Sequence, residues 1–136
     1  MSAYFIYVIQ INNFRYGNIP CDVSGLNAPS QVNSFEESGL RNLLIQNIQR
    51  SGYEKPTPVQ KYALPIIMEG RDLMGCAQTG SGKTAAFLLP LLHNLLELGF
   101  EQRSEQLPQF PEAVIVAPTR ELVIQIKGMI LYVPFI

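Results

Sequence analysis

Leu40, Leu44 and Ile48, with Leu43 and Ile45 beside them, recur at the spacing that places side chains on one face of a helix. The pattern predicts a helix that stops at Ser51-Gly52. A second apolar run, through Ile66 and Ile67 to a stop at Gly70, is opened by Thr57, Pro58, Val59 and Gln60. Thr at the N-cap, Pro at the first helical position and Gln three residues after the cap together make a helix start, because each meets or removes a backbone N–H that the first turn leaves unpaired. Residues 72–77 (DLMGCA) and 113–117 (AVIVA) are short, mostly apolar runs suited to buried strands of a parallel sheet. Between them, Lys83 to Leu96 is rich in Ala and Leu and predicts a helix with a kink at Pro90 and a stop at Gly99. Thr119-Arg120-Glu121-Leu122 starts a further helix. Strand, loop, helix, strand, helix gives an α/β domain, a parallel sheet with right-handed crossovers and flanking helices.

The ends and connections are less regular. Residues 1–11 (MSAYFIYVIQI) are apolar but carry no basic leader and no small-residue cleavage site, and they are too few to cross a bilayer. They read as a β-strand, with a cryptic signal segment as the alternative. Asn12 to Ser34, with Pro20, Gly25 and Pro29, reads as an extended arm, so residues 1–34 form an N-terminal extension. Glu97 to Glu112 is polar, contains Gly99, Pro108 and Pro111, and reads as a surface connection. Residues 128–136 form an apolar tail in which Met129 to Val133 has high β-propensity and no charge, a liability for solubility.

Composition narrows the partners. A chain of 136 residues with 47% apolar content is one small domain with enough material for a core. A net charge of −1 and a pI near 5.8 give no general basic field, so any nucleic-acid contact has to be local. Cys21 and Cys76 stand far apart and His93 is the single histidine, which suggests neither a zinc site nor a disulfide partner and fits a reduced, cytoplasmic compartment.

Residues 77–84 read A-Q-T-G-S-G-K-T and follow G-x-x-x-x-G-K-[ST] except for Ala77 at the first glycine. Gly80 and Gly82 free the backbone to turn N–H groups towards phosphate oxygens, Lys83 brings a mobile charge to the outer phosphates, and the Thr84 hydroxyl is placed for Mg²⁺. The run stands where such a loop functions, between a predicted strand and the positive end of a predicted helix.

Three motifs stand in order: G-Y-E-K-P-T-P-V-Q at residues 52–60, A-Q-T-G-S-G-K-T at 77–84 and P-T-R-E-L at 118–122. Together they resemble those of the DEAD-box ATP-dependent RNA helicases, and the longer phrases at residues 58–67 and 71–90 are similar to the Vasa-like branch of that family. The resemblance covers about Asn18 to Ile126. It implies that residues 35–127 belong to the first RecA-like domain and that the chain handles ATP and Mg²⁺. The implied nucleotide-binding residues are Phe35, Tyr53, Lys55, Thr57, Gln60, Gln78, Thr79, Gly80, Ser81, Gly82, Lys83 and Thr84. Phe35, 17 positions before the first motif, matches an aromatic that stacks on adenine in the family. Pro118, Thr119, Arg120 and Glu121 match the family's RNA-binding turn, which grips phosphates without reading bases. The resemblance also implies a second RecA-like domain or a full-length helicase as partner and, from the Vasa-like branch alone, a germ-granule location; that no membrane is a partner is expected from the short apolar start instead.

Two of these residues carry a second explanation. Gln60 can serve the helix cap alone, or its paired donor and acceptor can match the N6 and N7 edge of adenine. Arg120 can be a solvated residue of a first helical turn. A cation at the positive end of a helix is nonetheless unfavourable without an anion beside it, which the RNA backbone would supply.

Phosphoryl transfer also needs an acid to hold Mg²⁺ and a group to position water. The only aspartates are Asp22 and Asp72, so the chain contains neither D-E-A-D nor, elsewhere, S-A-T. The expectation is an ATP- and RNA-binding portion of a helicase that is catalytically incomplete by itself. The alternatives are a stand-alone binding module that competes with the full-length enzyme, and an unrelated P-loop kinase or GTPase, which would lack the adenine-reading Gln.

Overall fold

The computed structural model describes residues 3–8, 21–98 and 110–132. Three strands, β1 (Ala3–Val8), β2 (Cys21–Ser24) and β3 (Asp72–Cys76), form one sheet in the order β2-β1-β3. β1 runs antiparallel to β2, with Phe5 opposite Ser24 and Val8 opposite Cys21. It runs parallel to β3, with Ala3 opposite Asp72 and Tyr7 opposite Cys76. Around the sheet lie α1 (Asn42–Arg50), α2 (Pro58–Met68), α3 (Lys83–Glu97) and α4 (Arg120–Tyr132), with a 3₁₀ turn at Glu36–Ser38.

The helices form where their sequence signals stand. α1 buries Leu44, Ile45 and Ile48 and ends at Ser51, followed by Gly52 at φ 82°, a left-handed conformation that favours glycine. Leu43, expected on the same face, is 52% exposed. It precedes Leu44 by one residue, a rotation of about 100° off the buried stripe. α3 carries Pro90 buried within it and runs on to Glu97; the expected stop at Gly99 lies outside the described residues.

Two apolar clusters hold the fold. Phe35, Leu40, Leu44, Ile48, Leu64 and Leu89 centre the larger one, where α1, α2 and α3 meet. Ala63 and Ile66 of α2 with Ala86 of α3 make the smaller one, and Val23 and Leu73 pack on it from the sheet. Each fully buried Leu, Ile or Phe contributes about 1.5–3 kcal/mol of transfer free energy.

The α/β class is as expected, but four details differ. The sheet is mixed rather than wholly parallel, because Cys21–Ser24, expected in the extended arm, turns back along β1. β3 is a parallel strand, yet Met74 is 45% exposed and Cys76 is exposed, since the described helices leave one face of it open. Residues 113–117 are not a strand, and Val114 and Val116 are 74% and 89% exposed. Strand geometry requires a neighbour to share the ladder, and among the described residues none lies beside this segment. The tail, expected to favour β structure, continues α4 as far as Tyr132, and Met129 and Ile130 pack against the larger cluster. Helical spacing gives these two side chains apolar contact that a solitary strand could not. Among the described residues, no helix is long and apolar enough to cross a membrane.

Candidate nucleotide site

The P-loop occupies the junction of β3 and α3, with residues 77–82 linking Cys76 to Lys83. Gly80 and Gly82 both adopt positive φ, 81° and 90°, conformations that a side chain strains. At Gly82 space forbids a side chain as well. A Cβ there would stand 2.6 Å from Gln60 Nε2 and 2.9 Å from Thr57 Oγ1. The loop and the start of α2 are therefore in direct contact.

Gln60 makes that contact specific. Its Oε1 accepts the Thr57 N–H at 2.9 Å, closing the α2 cap, while its Nε2 donates to Gly82 O at 3.1 Å. Gly82 O also accepts the Ala86 N–H at 3.0 Å, so one carbonyl joins the first turn of α3 to the first turn of α2. Gln60 is wholly buried. The cap expected from sequence is thus present, and the same side chain is a latch on the phosphate loop, a role that sequence reasoning missed. The available signal was that a cap uses only Oε1 and leaves the amide donors to be satisfied elsewhere. Thr57 stands at the N-cap, but its buried Oγ1 makes no hydrogen bond of good geometry, and neither does the buried Ser81 Oγ.

Lys83 Nζ donates to Ala77 O and to Gln78 O, the latter at 2.6 Å, so the loop's cation is held by the loop's own carbonyls. Thr79, Gly80, Lys83 and Thr84 line a groove of about 700 Å³. Its far wall is Ile115, Val116, Ala117, Leu122 and Ile126, apolar residues that sequence reasoning assigned to a strand and a helix rather than to a site.

The remaining candidates separate. Phe35 is 1% exposed and lies in the larger core cluster, so its ring has no free face for a base and the structure does not bring it to the site. Tyr53 is half-buried against the same cluster, while Lys55 and Gln78 are exposed. Pro118, Thr119, Arg120 and Glu121 are exposed at the turn into α4, where Thr119 Oγ1 accepts the Leu122 N–H at 3.3 Å. Arg120 and its neighbours sit at the positive end of that helix. No group of three or more His, Cys, Asp or Glu able to hold a metal occurs among the described residues.

Strand, glycine loop and helix in this arrangement define a P-loop α/β domain. A DEAD/DEAH box helicase family model matches residues 57–131, and the chain belongs to that family. It is 53% identical over 125 residues to human "Probable ATP-dependent RNA helicase DDX4", covering 92% of this chain and 17% of that protein. It is likewise 53% identical over 112 residues to "ATP-dependent RNA helicase vasa" of Drosophila melanogaster, covering 82% of this chain and 16% of the relative. The chain thus spans about a sixth of the length of these curated relatives. Among solved structures, the RNA helicase Prp28 of Chaetomium thermophilum bound to ADP is similar, with a TM-score of 0.66 and 48% identity over 75% of this chain and 24% of that one. A DEAD box protein of Methanococcus jannaschii gives a TM-score of 0.63 at 32% identity, over 76% of this chain and 26% of that one.

Proposed function

We propose that this chain is the ATP-binding portion, and one edge of the RNA-binding surface, of a Vasa-like DEAD-box RNA helicase. The observation that carries the reading is the interlocked P-loop: two positive-φ glycines, Lys83 and Thr84 at the start of α3, and Gln60 latched to Gly82. The residues present fit a nucleotide triphosphate. Lys83 satisfies itself on carbonyls that a phosphate would replace as its partner, and Ser81 Oγ is buried without a hydrogen bond. Gly80 and Gly82 leave the backbone free to approach an anion. Mg²⁺, when bound with ATP, neutralises phosphate charge, and Thr84 is the hydroxyl placed to help hold it. The exposed turn at 118–121 adds helix-end N–H groups and Arg120 for RNA phosphates, a contact without base readout.

Catalysis needs more than this. Binding ground state and transition state alike does not lower a barrier, and the chain has no aspartate after Asp72 to hold Mg²⁺ against developing charge. The reading therefore includes nucleotide binding without RNA-stimulated ATP hydrolysis by these 136 residues alone. The test is binding of a fluorescent ATP analogue, with phosphate release measured in the presence and absence of single-stranded RNA. Lys83→Ala should abolish binding and leave the circular-dichroism spectrum unchanged, because Lys83 supports the loop and not the core. Equal binding by the variant would refute the site; RNA-dependent phosphate release above the variant's level would refute the catalytic half.

A further inference from the structure

β3 ends at Cys76 and the P-loop begins at the next residue, Ala77, whose carbonyl accepts Lys83 Nζ. Whatever fixes β3 therefore fixes the origin of the loop. Among the described residues β3 shares a ladder with one strand only, β1, through five register pairs from Ala3–Asp72 to Tyr7–Cys76. The groove opens alongside β3 at Leu73 and Gly75. β1 is itself held by β2 on its far side, and α2 packs across all three strands. The helix that latches the P-loop through Gln60 thus also lies on the strand that pairs with the P-loop's origin.

These anchoring residues lie outside the family match, which begins at Thr57. From this arrangement we infer that Ala3–Val8 is a positioning strand for the phosphate loop: nucleotide affinity in this chain depends on a segment more than forty residues before the family region, acting through the β1–β3 ladder. The inference rests on the reading of the P-loop as a nucleotide site, and its tests separate the two.

Cys76 can report the β1–β3 register directly. Tyr7 pairs with Cys76, and Val8 pairs with Cys21 on the opposite neighbour. Adjacent residues of a strand face opposite sides of the sheet, and neighbouring strands lie about 4.7–4.9 Å apart, which puts paired residues within disulfide reach. In a Cys21→Ser background, Tyr7→Cys should close a disulfide with Cys76 on mild oxidation, and Val8→Cys should not. Hydrogen exchange should show slow amides across 73–76 in the unmodified chain and in the oxidised Tyr7→Cys variant. Ile6→Pro, opposite Gly75, places a residue without a backbone N–H inside the paired length of the central strand and should release that protection. It should also weaken binding of the fluorescent ATP analogue about tenfold, some 1.4 kcal/mol. Failure of Tyr7→Cys to close would overturn the inference, as would β3 protection and nucleotide affinity that survive Ile6→Pro. Crosslinking and protection as expected in a chain that binds no nucleotide would uphold the strand as anchor and refute the functional reading instead.

Discussion

The junction of residues 57–60 with 80–84 and the stretch from 110 to 120 both carry family motifs, yet only the first is built. At the junction three features interlock within a few residues: Gly82 takes its positive φ, Gln60 closes the α2 cap, and the spare amide donor of Gln60 reaches Gly82 O. In the second region the motif's turn and the start of α4 are present, but residues 113–117 have no ladder, and Val114 and Val116 stand exposed. A cap or a glycine turn is specified by its own atoms, whereas a strand is specified by the strand beside it. The same sequence strength therefore yields an interlocked glycine loop in one place and an unpaired apolar wall in the other.

The comparison predicts unequal sensitivity to substitution. Gly82→Ala should have the largest effect, since the added methyl meets Gln60 Nε2 and Thr57 Oγ1 and the backbone is left-handed as well. Loss of nucleotide binding and a destabilisation of about 1–3 kcal/mol in urea unfolding are expected. Wild-type binding by that variant would show that the loop and α2 are not interlocked. Deleting Gly128 to Ile136 should come next. Met129 and Ile130 lie against the larger core cluster, so their removal should cost about 1–3 kcal/mol and leave the protein less soluble, the reverse of what an uncharged β-prone tail implies. An unchanged unfolding midpoint would contradict the packing. The smallest effect belongs to the second region. Val114→Ser with Val116→Ser should alter stability by about 0.5 kcal/mol or less, because both side chains are already in water. A larger loss would mean that residues 113–117 pair with something in solution.

Local signals made much of this legible. The Thr57-Pro58-Val59-Gln60 start and the Gly52 and Gly70 stops placed α1 and α2 closely, and the glycine loop between strand and helix placed the P-loop. The class of fold and the family followed from the same residues. What the sequence could not convey was long-range. The parallel partner of β3 is β1, nearly seventy residues earlier, and nothing in residues 3–8 names its neighbour. Phe35 has the residue type of a base platform, but it is buried in the cluster that includes Leu40, Leu44 and Leu89, and burial is a property of packing rather than of spacing. Gln60 was legible as a cap because Thr57 lies three residues before it. Its contact with Gly82, 22 residues later, was not.

Gln60 also gives the most direct test of the account, whose central claim is that the contact between α2 and the P-loop shapes the phosphate cradle. Gln60→Glu keeps an acceptor for the Thr57 N–H and removes the amide donor to Gly82 O, so it breaks the latch and spares the cap. Affinities of the unmodified chain and of this variant for ATP and for inorganic tripolyphosphate, measured by displacement of a fluorescent ATP analogue at pH 8, decide the matter. The account predicts that both ligands weaken together, by about tenfold, roughly the upper end of what one neutral hydrogen bond is worth. Weakened ATP with unchanged tripolyphosphate would contradict it, and would make Gln60 a reader of the base instead of a support for the loop.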